Sequence, residues 1–342
     1  MRSLPIPLYR TCYGEAYVGD ALDLLKSLSD DSVDLVLTSP PFALQRQKEY
    51  GNRGEREYVD WLLSFTPEVK RVLKETGSFV LDLGGAYLKG RPIRSLYNYR
   101  VLLRLCDEQG WNLAEEFFWF NPAKLPSPIE WVNKRKIRTK DAVNTIWWLS
   151  KSDFPKADVS QVLTPYSDRM KRLLADGDKY YIPKKRPSGH DISKGFMNDR
   201  GGAIPSNLLQ IPNTESNSQY LRHCQTVGIT GHPARFPQAV PEFFIRFLTE
   251  AGDTVLDIFA GSNTTGAAAE SLGRQWIAFE LEQSYSAASA FRFIDGKDKS
   301  LAQSLYAQLT GKGASGVVIP QSSMQIQMLD KKGRYTGKAS QE

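Results

Sequence analysis

Val33-Asp34-Leu35-Val36-Leu37-Thr38-Ser39-Pro40-Pro41-Phe42 decides how the rest of the chain is read. The first six residues form a nearly continuous apolar run, the pattern of a strand covered on both faces of a parallel sheet. Two prolines then forbid both helix and ladder continuation, so the chain leaves the sheet at its C-terminal end. The Ser39 hydroxyl and a backbone carbonyl are thereby fixed at one point, with no ordering cost when they act. Two such acceptors suit an exocyclic amine, because accepting both of its N–H bonds favours the pyramidal nitrogen that can attack a methyl group. Phe42 is placed to stack on the ring. An ordinary Pro-Pro loop over a core phenylalanine is the competing reading.

Outward from this segment, strand and helix alternate. Residues 21–28 have helical spacing. Residues 45–57, mostly charged with two glycines, are expected as a mobile connection. Residues 58–73 return to helical spacing, and 78–83 (SFVLDL) form a second buried strand ending at Gly84-Gly85. A helix is predicted over 95–108, an aromatic strand over 116–121 and its neighbour over 144–150. Between 152 and 231 Pro, Ser, Asn and Lys/Arg are frequent and no comparably buried strand is expected, which marks an inserted subdomain. The apolar pattern resumes with a helix near 241–250, a strand at 254–258, a glycine-containing turn, a helix and a strand at 276–280. Past residue 310 the composition predicts a frayed tail. This alternation is the signature of an α/β sheet.

A chain of 342 residues, 41% apolar and 24% charged, folds around a sizeable core and is neither collagen-like nor globally disordered. No apolar run approaches the ~20 residues needed to span a bilayer, and the first ten residues lack a secretory apolar stretch. A cytoplasmic protein is expected. Cys12, Cys106 and Cys224 are dispersed, as are His190, His223 and His232, so neither a disulfide framework nor a metal site is expected. The net charge of +6 is local in origin, because residues 134–186 hold fourteen Lys/Arg against six Asp. A basic face suits a polyanion. A solvated basic surface is the alternative.

Residues 257–266, DIFAGSNTTG, stand between a buried strand and the helix opened by Ala267-Ala268-Ala269-Glu270. A tight turn there presents unsatisfied helix N-terminal N–H groups at the end of the sheet. Glu280 follows at the end of the next strand, where α/β nucleotide sites place a carboxylate that accepts from ribose hydroxyls. This turn has too few glycines for GxGxxG or a P-loop, and GK[ST] does not occur, so a polyphosphate cradle is disfavoured. An adenosine ligand with a short zwitterionic tail fits; a plain strand-to-helix turn is the competing reading.

TSPPF, DIFAGSNTTG and their order resemble the β group of DNA amino-methyltransferases, in which the acceptor half precedes the methyl-donor half. The likeness runs over roughly residues 12–295. It is nearest to the PvuII-type, cytosine-N4-specific branch in TSPPFAL, FNPAKLPSPIEWVNKRKIR, PYSDRMK, RPSGHDI and HPARFP. The resemblance implies a single Rossmann-like methyltransferase sheet with permuted motif order and an inserted DNA-recognition subdomain. Residues 1–150 would be the acceptor half, 151–231 the target-recognition subdomain, 232–310 the S-adenosylmethionine half and 311–342 a flexible tail.

The same likeness implies S-adenosyl-L-methionine as methyl donor. Asp257, Phe259, Ala260, Gly261, Ser262, Asn263, Thr264 and Thr265 would form the methionine-binding loop, and Glu280 would hold the ribose. Asp20 would lie near the adenine, although its position also suits an ordinary helix cap. Phe236, within HPARFP, would lie at the methionine end. In this family Ser-Pro-Pro accompanies cytosine N4 and Asp-Pro-Pro-Tyr usually accompanies adenine N6, so Ser39, Pro40, Pro41 and Phe42 favour cytosine. Trp119 and Phe120 would stand beside the extruded base. The PvuII-type likeness also implies CAGCTG with its inner cytosine as target. It further implies a monomer that protects host duplex DNA from a partner endonuclease without a stable complex.

Two readings rest on the residues themselves. Asp82, near the end of a strand expected beside Ser39, is a buried carboxylate in need of a partner; it is expected to accept from Ser39 and indirectly take the proton that the amine loses, with a loop-capping aspartate bonded only to backbone N–H groups as the competing reading. Lys134, Arg135, Lys136 and Arg138 are candidates for DNA phosphates. Methylation at cytosine C5 is excluded, because it requires a nucleophilic cysteine after proline and no Pro-Cys occurs. Adenine-N6 methylation and a non-catalytic DNA-binding protein remain open, and a nicotinamide dehydrogenase is disfavoured.

Overall fold

The computed structural model describes residues 3–42, 55–176, 198–214 and 218–320. The strands are β1 (Tyr9–Arg10), β2 (Gly14–Val18), β3 (Val33–Thr38), β4 (Leu73–Leu83), β5 (Asn112–Phe120), β6 (Val143–Ser150), β7 (Leu208–Gln210), β8 (Thr254–Asp257), β9 (Gln275–Glu280) and β10 (Val317–Val318). They form one sheet in the order β10-β1-β2-β9-β8-β3-β4-β6-β5-β7. From β2 through β9, β8 and β3 to β4, every neighbouring pair is parallel. The C-terminal ends of these five strands therefore share one edge, the usual place for a ligand in an open α/β sheet.

All six residues of β3 are buried, as the apolar run requires. Asp34 is tolerated there because Lys74 Nζ lies 2.8 Å away and the Thr254 backbone N–H donates to it at 2.9 Å. The helix Glu55–Val72 buries Tyr58, Leu62, Phe65, Val69 and Val72 at helical spacing. These pack in one cluster with Val36, Phe79, Leu81 and Leu256, so the helix covers the centre of the sheet. Acidic residues in its first turn and basic residues in its last complement the helix dipole.

Three boundaries differ from the sequence expectation. The separate compact unit is Ala157–Ser206, narrower than 151–231. Within the expected subdomain, β7 pairs in parallel with β5, and the helix Gln219–Thr226 buries Tyr220, His223 and Cys224, so both belong to the main unit. A three-residue strand with one buried side chain, Leu209, leaves too little pattern to be read from sequence. The expected frayed tail contains β10, which pairs with β1. Of the expected mobile connection, residues 55–57 open a helix instead, and 45–54 lie outside the described residues, as do 321–342.

Inside the unit Ala157–Ser206, a short helix Asp168–Ala175 is capped by Ser167 Oγ, and Thr164 and Ala203 bridge antiparallel. Among the described residues no helix is long and apolar enough to cross a membrane, and no His/Cys/Asp/Glu group is arranged to hold a metal ion.

Candidate active site

Ser39 emerges from β3 beside the end of β4, and its Oγ donates to Asp82 Oδ2 at 3.1 Å. Asn144 Nδ2, from β6, donates to Asp82 Oδ1 at 3.2 Å. Both carboxylate oxygens thus have a partner, and the Ser39 oxygen keeps its lone pairs for another donor. Burial pushes the Asp82 carboxyl up to about 6, against the opposing pull of Ser39, Asn144 and the Lys124 ammonium. Phe42 packs over Gly84: a Cβ there would lie 2.6 Å from the Phe42 ring, so a side chain at this position would displace it.

The donor half grows from β8. Asp257 is buried and accepts from Thr38 Oγ1 at 2.7 Å, Thr265 Oγ1 at 2.7 Å and the Phe259 backbone N–H at 3.1 Å. Burial raises its carboxyl, and these three donors oppose the shift. The turn beyond it needs left-handed backbone at Gly261 and Asn263, both at φ 52°. A Cβ on Gly261 would also meet the His232 ring at about 3 Å, so this position requires glycine on both counts. Glu280 Oε2 accepts from the Gly261 N–H at 2.8 Å, and Oε1 from the Glu282 N–H at 3.0 Å. Burial raises the Glu280 carboxyl while those N–H groups lower it.

A cavity of about 520 Å³ joins the two halves. Ser39, Pro40, Pro41, Phe42 and Asp82 line it from the acceptor side. Asp20, Phe236, Asp257, Phe259, Ala260, Gly261, Ser262, Thr264 and Glu280 line it from the donor side. Asp20 also caps the helix Ala21–Leu25 by accepting from the Leu22 N–H at 2.9 Å, so its two readings are compatible.

Three residues expected at the base or the cofactor, and the four expected at DNA phosphates, do not line the cavity. Phe120 follows Trp119 on β5, and successive residues of a strand face opposite sides; Trp119 is the one that lines it. Asn263 turns inward to cap the helix Thr264–Ser271 through the Gly266 N–H at 2.9 Å, and its amide donates to Tyr9 Oη at 3.1 Å. Thr265 is occupied by Asp257. Both shape the turn rather than the cavity wall. Lys134, Arg135, Lys136 and Arg138 lie outside it on an exposed segment; Lys134 and Arg135 share Glu130, and Arg138 donates to the Pro92 carbonyl.

The sequence reading did not single out Asn144, Lys124, Asn121, Asn213 or Tyr285, all of which line the cavity. Asn144 is diagonal to Asp82 because Asp82 pairs with Ile146, and that antiparallel register cannot be read from either strand alone. Asn213 joins the two sides: its N–H donates to Asn121 Oδ1 at 3.1 Å and its side-chain amide to the Arg235 carbonyl at 2.8 Å.

Comparison with known proteins agrees with this architecture. The N6/N4 family model described as DNA methylase matches residues 33–291, about three quarters of the chain. Type II methyltransferase M.PvuII of Proteus hauseri is 64% identical over 289 residues, covering 84% of this chain and 86% of the relative. Type II methyltransferase M.ScaI of Streptomyces caespitosus is 27% identical over 83% of this chain and 82% of its own. Among solved structures, the PvuII DNA methyltransferase (cytosine-N4-specific) superposes with a TM-score of 0.75 at 51% identity, covering 92% of this chain and 97% of that one. The Rossmann-like sheet is thus shared with the PvuII enzyme, and the chain belongs to the N6/N4 DNA methylase family.

Proposed function

We propose that this enzyme transfers a methyl group from S-adenosyl-L-methionine to the exocyclic N4 of a cytosine flipped out of duplex DNA, the inner cytosine of CAGCTG. By marking that site it protects host DNA in the cytoplasm from a partner restriction endonuclease, acting as a monomer without a stable complex. The observation that carries the chemistry is the Ser39–Asp82 hydrogen bond at the wall of a cavity that also contains the Glu280 turn. The base and the recognition sequence rest on the Ser-Pro-Pro-Phe form and on the 64% identity to M.PvuII.

The donor side suits an adenosine with a zwitterionic tail. Glu280 spends one lone pair of each oxygen on a backbone N–H, and a carboxylate has about four acceptor positions, so two remain for vicinal hydroxyls. Phe236 and Phe259 offer apolar surface, and Asp20 lies on the same wall. When bound, S-adenosyl-L-methionine supplies an electrophilic methyl group on a sulfonium.

The chain's own residues prepare the nucleophile. With its hydrogen directed to Asp82, Ser39 Oγ accepts one amine N–H, and a backbone carbonyl of the Pro-Pro segment accepts the other. The nitrogen lone pair, withdrawn from the ring, forms the new N–C bond as the S–C bond breaks. Asp82 receives the released proton by way of Ser39. Trp119 and Phe42 flank the ring, and Lys134, Arg135, Lys136 and Arg138 hold phosphates while extrusion costs a few kcal/mol. Ala157–Ser206 belongs to the target-recognition part.

The test is to incubate the enzyme with CAGCTG duplex and labelled S-adenosyl-L-methionine and to identify the modified nucleoside. N4-methylcytosine at the inner position is expected. N6-methyladenine, or no label, overturns the reading.

A further inference from the structure

Leu125 is 80% exposed, more than any other aliphatic side chain among the described residues. It directly follows Lys124, which lines the cavity, and lies four residues past Asn121, which also lines it. An exposed leucine is ordinary on a loose loop, but this loop is held. The Lys124 N–H donates to the Asn121 carbonyl at 3.2 Å, and the Ala123 N–H to Asn121 Oδ1 at 3.1 Å. Lys140 Nζ reaches across to the carbonyls of Pro122 at 3.0 Å and Lys124 at 3.3 Å. The Asp141 N–H fastens the Ser127 carbonyl at 2.9 Å. Pro122, Pro126 and Pro128 fix three further φ angles.

The surroundings indicate what covers this leucine. From Asn121 to Asp141 the chain carries six basic and two acidic side chains. A partner that is polyanionic outside and apolar within is a stacked nucleic-acid duplex. Proteins that unstack bases insert apolar wedges between base steps, and a base that leaves its helix opens a gap of that kind.

We propose that Leu125 enters the duplex as the target base leaves it, filling the vacated space in the stack and holding the base in the cavity. This rests on the reading that the enzyme acts on an extruded base. The role is one of positioning: Leu125 touches neither the methyl donor nor the reacting amine.

The test compares single-turnover methylation by wild type and Leu125→Ala on two CAGCTG duplexes, one fully paired and one with the target cytosine opposite an abasic site. Leu125→Ala is expected to be roughly 10-fold or more slower on the paired duplex, because the cost of extrusion is no longer offset. On the abasic duplex its rate should return to within about threefold of wild type, since an unpaired base costs less to extrude. Donor affinity should be unchanged and Leu125→Phe active. Equal rates of variant and wild type on the paired duplex, or the same loss on both duplexes, overturn the proposal. Wild type that methylates both duplexes equally fast removes the extrusion cost itself and the wedge with it. Failure of the catalytic reading is separate, because it shows as wild type making no N4-methylcytosine on either duplex.

Discussion

Thr38 Oγ1 donates to Asp257 Oδ1 at 2.7 Å, so the last residue of one central strand holds the last residue of its neighbour across 219 positions of chain. One residue beyond Thr38 is the candidate amine acceptor, and just beyond Asp257 the donor turn begins. On top of the β3–β8 ladder, this buried contact ties the ends of the two strands together.

Replacing Thr38 by valine keeps the volume and removes the donor. A buried carboxylate that loses one of three donors costs about 1–3 kcal/mol. Stability should fall by that amount in urea titrations, with donor affinity and single-turnover rate falling together. A variant that loses rate but binds S-adenosyl-L-methionine normally would show that the contact serves only the acceptor side.

In the proposed mechanism Ser39 and Asp82 act as one unit, so Ser39→Ala and Asp82→Asn should each lower kcat by about 10²–10³ and leave donor and DNA binding nearly intact. The double variant should be little worse than either. Strictly multiplicative losses in single-turnover assays would separate Asp82 from Ser39.

The raised Asp82 carboxyl has two consequences of opposite sign. In the proposed mechanism the carboxylate is the form that accepts the amine proton, so the single-turnover rate of the wild type should climb as pH rises through about 6. Between about 3.8 and 6 the native state holds a proton that the unfolded chain has released, so stability falls as pH rises through that window. At pH 7.5 Asp82→Asn should therefore be more stable than wild type, by up to about 2–3 kcal/mol, with the advantage vanishing toward pH 4. Thermal melts at the two pH values decide it; an advantage that does not depend on pH would refute a cost of ionisation.

Glu280→Ala should weaken donor binding at least tenfold, since two charge-assisted hydrogen bonds are worth roughly 1.5–3 kcal/mol each. The Gly261 and Glu282 N–H groups lose their acceptor too. Glu280→Gln, which retains one acceptor oxygen, should bind with intermediate affinity. Calorimetry checks both, and unchanged affinity in folded Glu280→Ala retires the assignment.

Neutralising Lys134, Arg135, Lys136 and Arg138 together should weaken binding to every DNA sequence and flatten the dependence of log K on log salt. The exposed pairs of Lys134 and Arg135 with Glu130 compete little with phosphates, because solvent-screened ion pairs are weak. An unaltered salt slope would make these four side chains ordinary solvated surface.

The central strands were legible because two-faced burial writes an apolar run into the chain, as in β3 and β4. The two turns were legible because Pro-Pro at 40–41 and glycine at 261 break those runs where the chemistry sits. Two-residue strands such as β1 and β10 carry no periodicity, so their pairing is invisible until the sheet is assembled. The family resemblance placed both Trp119 and Phe120 beside the base, whereas a strand separates adjacent residues onto opposite faces. Asn144 and Lys124 reach the site through strand register and loop path, which depend on the whole fold.

Tyr9 and Val317 are registered neighbours in the sheet although they stand near opposite ends of the sequence. A short linker across that pair, with the chain reopened in a surface loop between the halves, would leave every strand beside its present neighbour. The ribosome would then deliver the turn after β8 before the loop after β3. The order in which the two halves are synthesised is a property of the gene, whereas strand adjacency in the sheet does not depend on it.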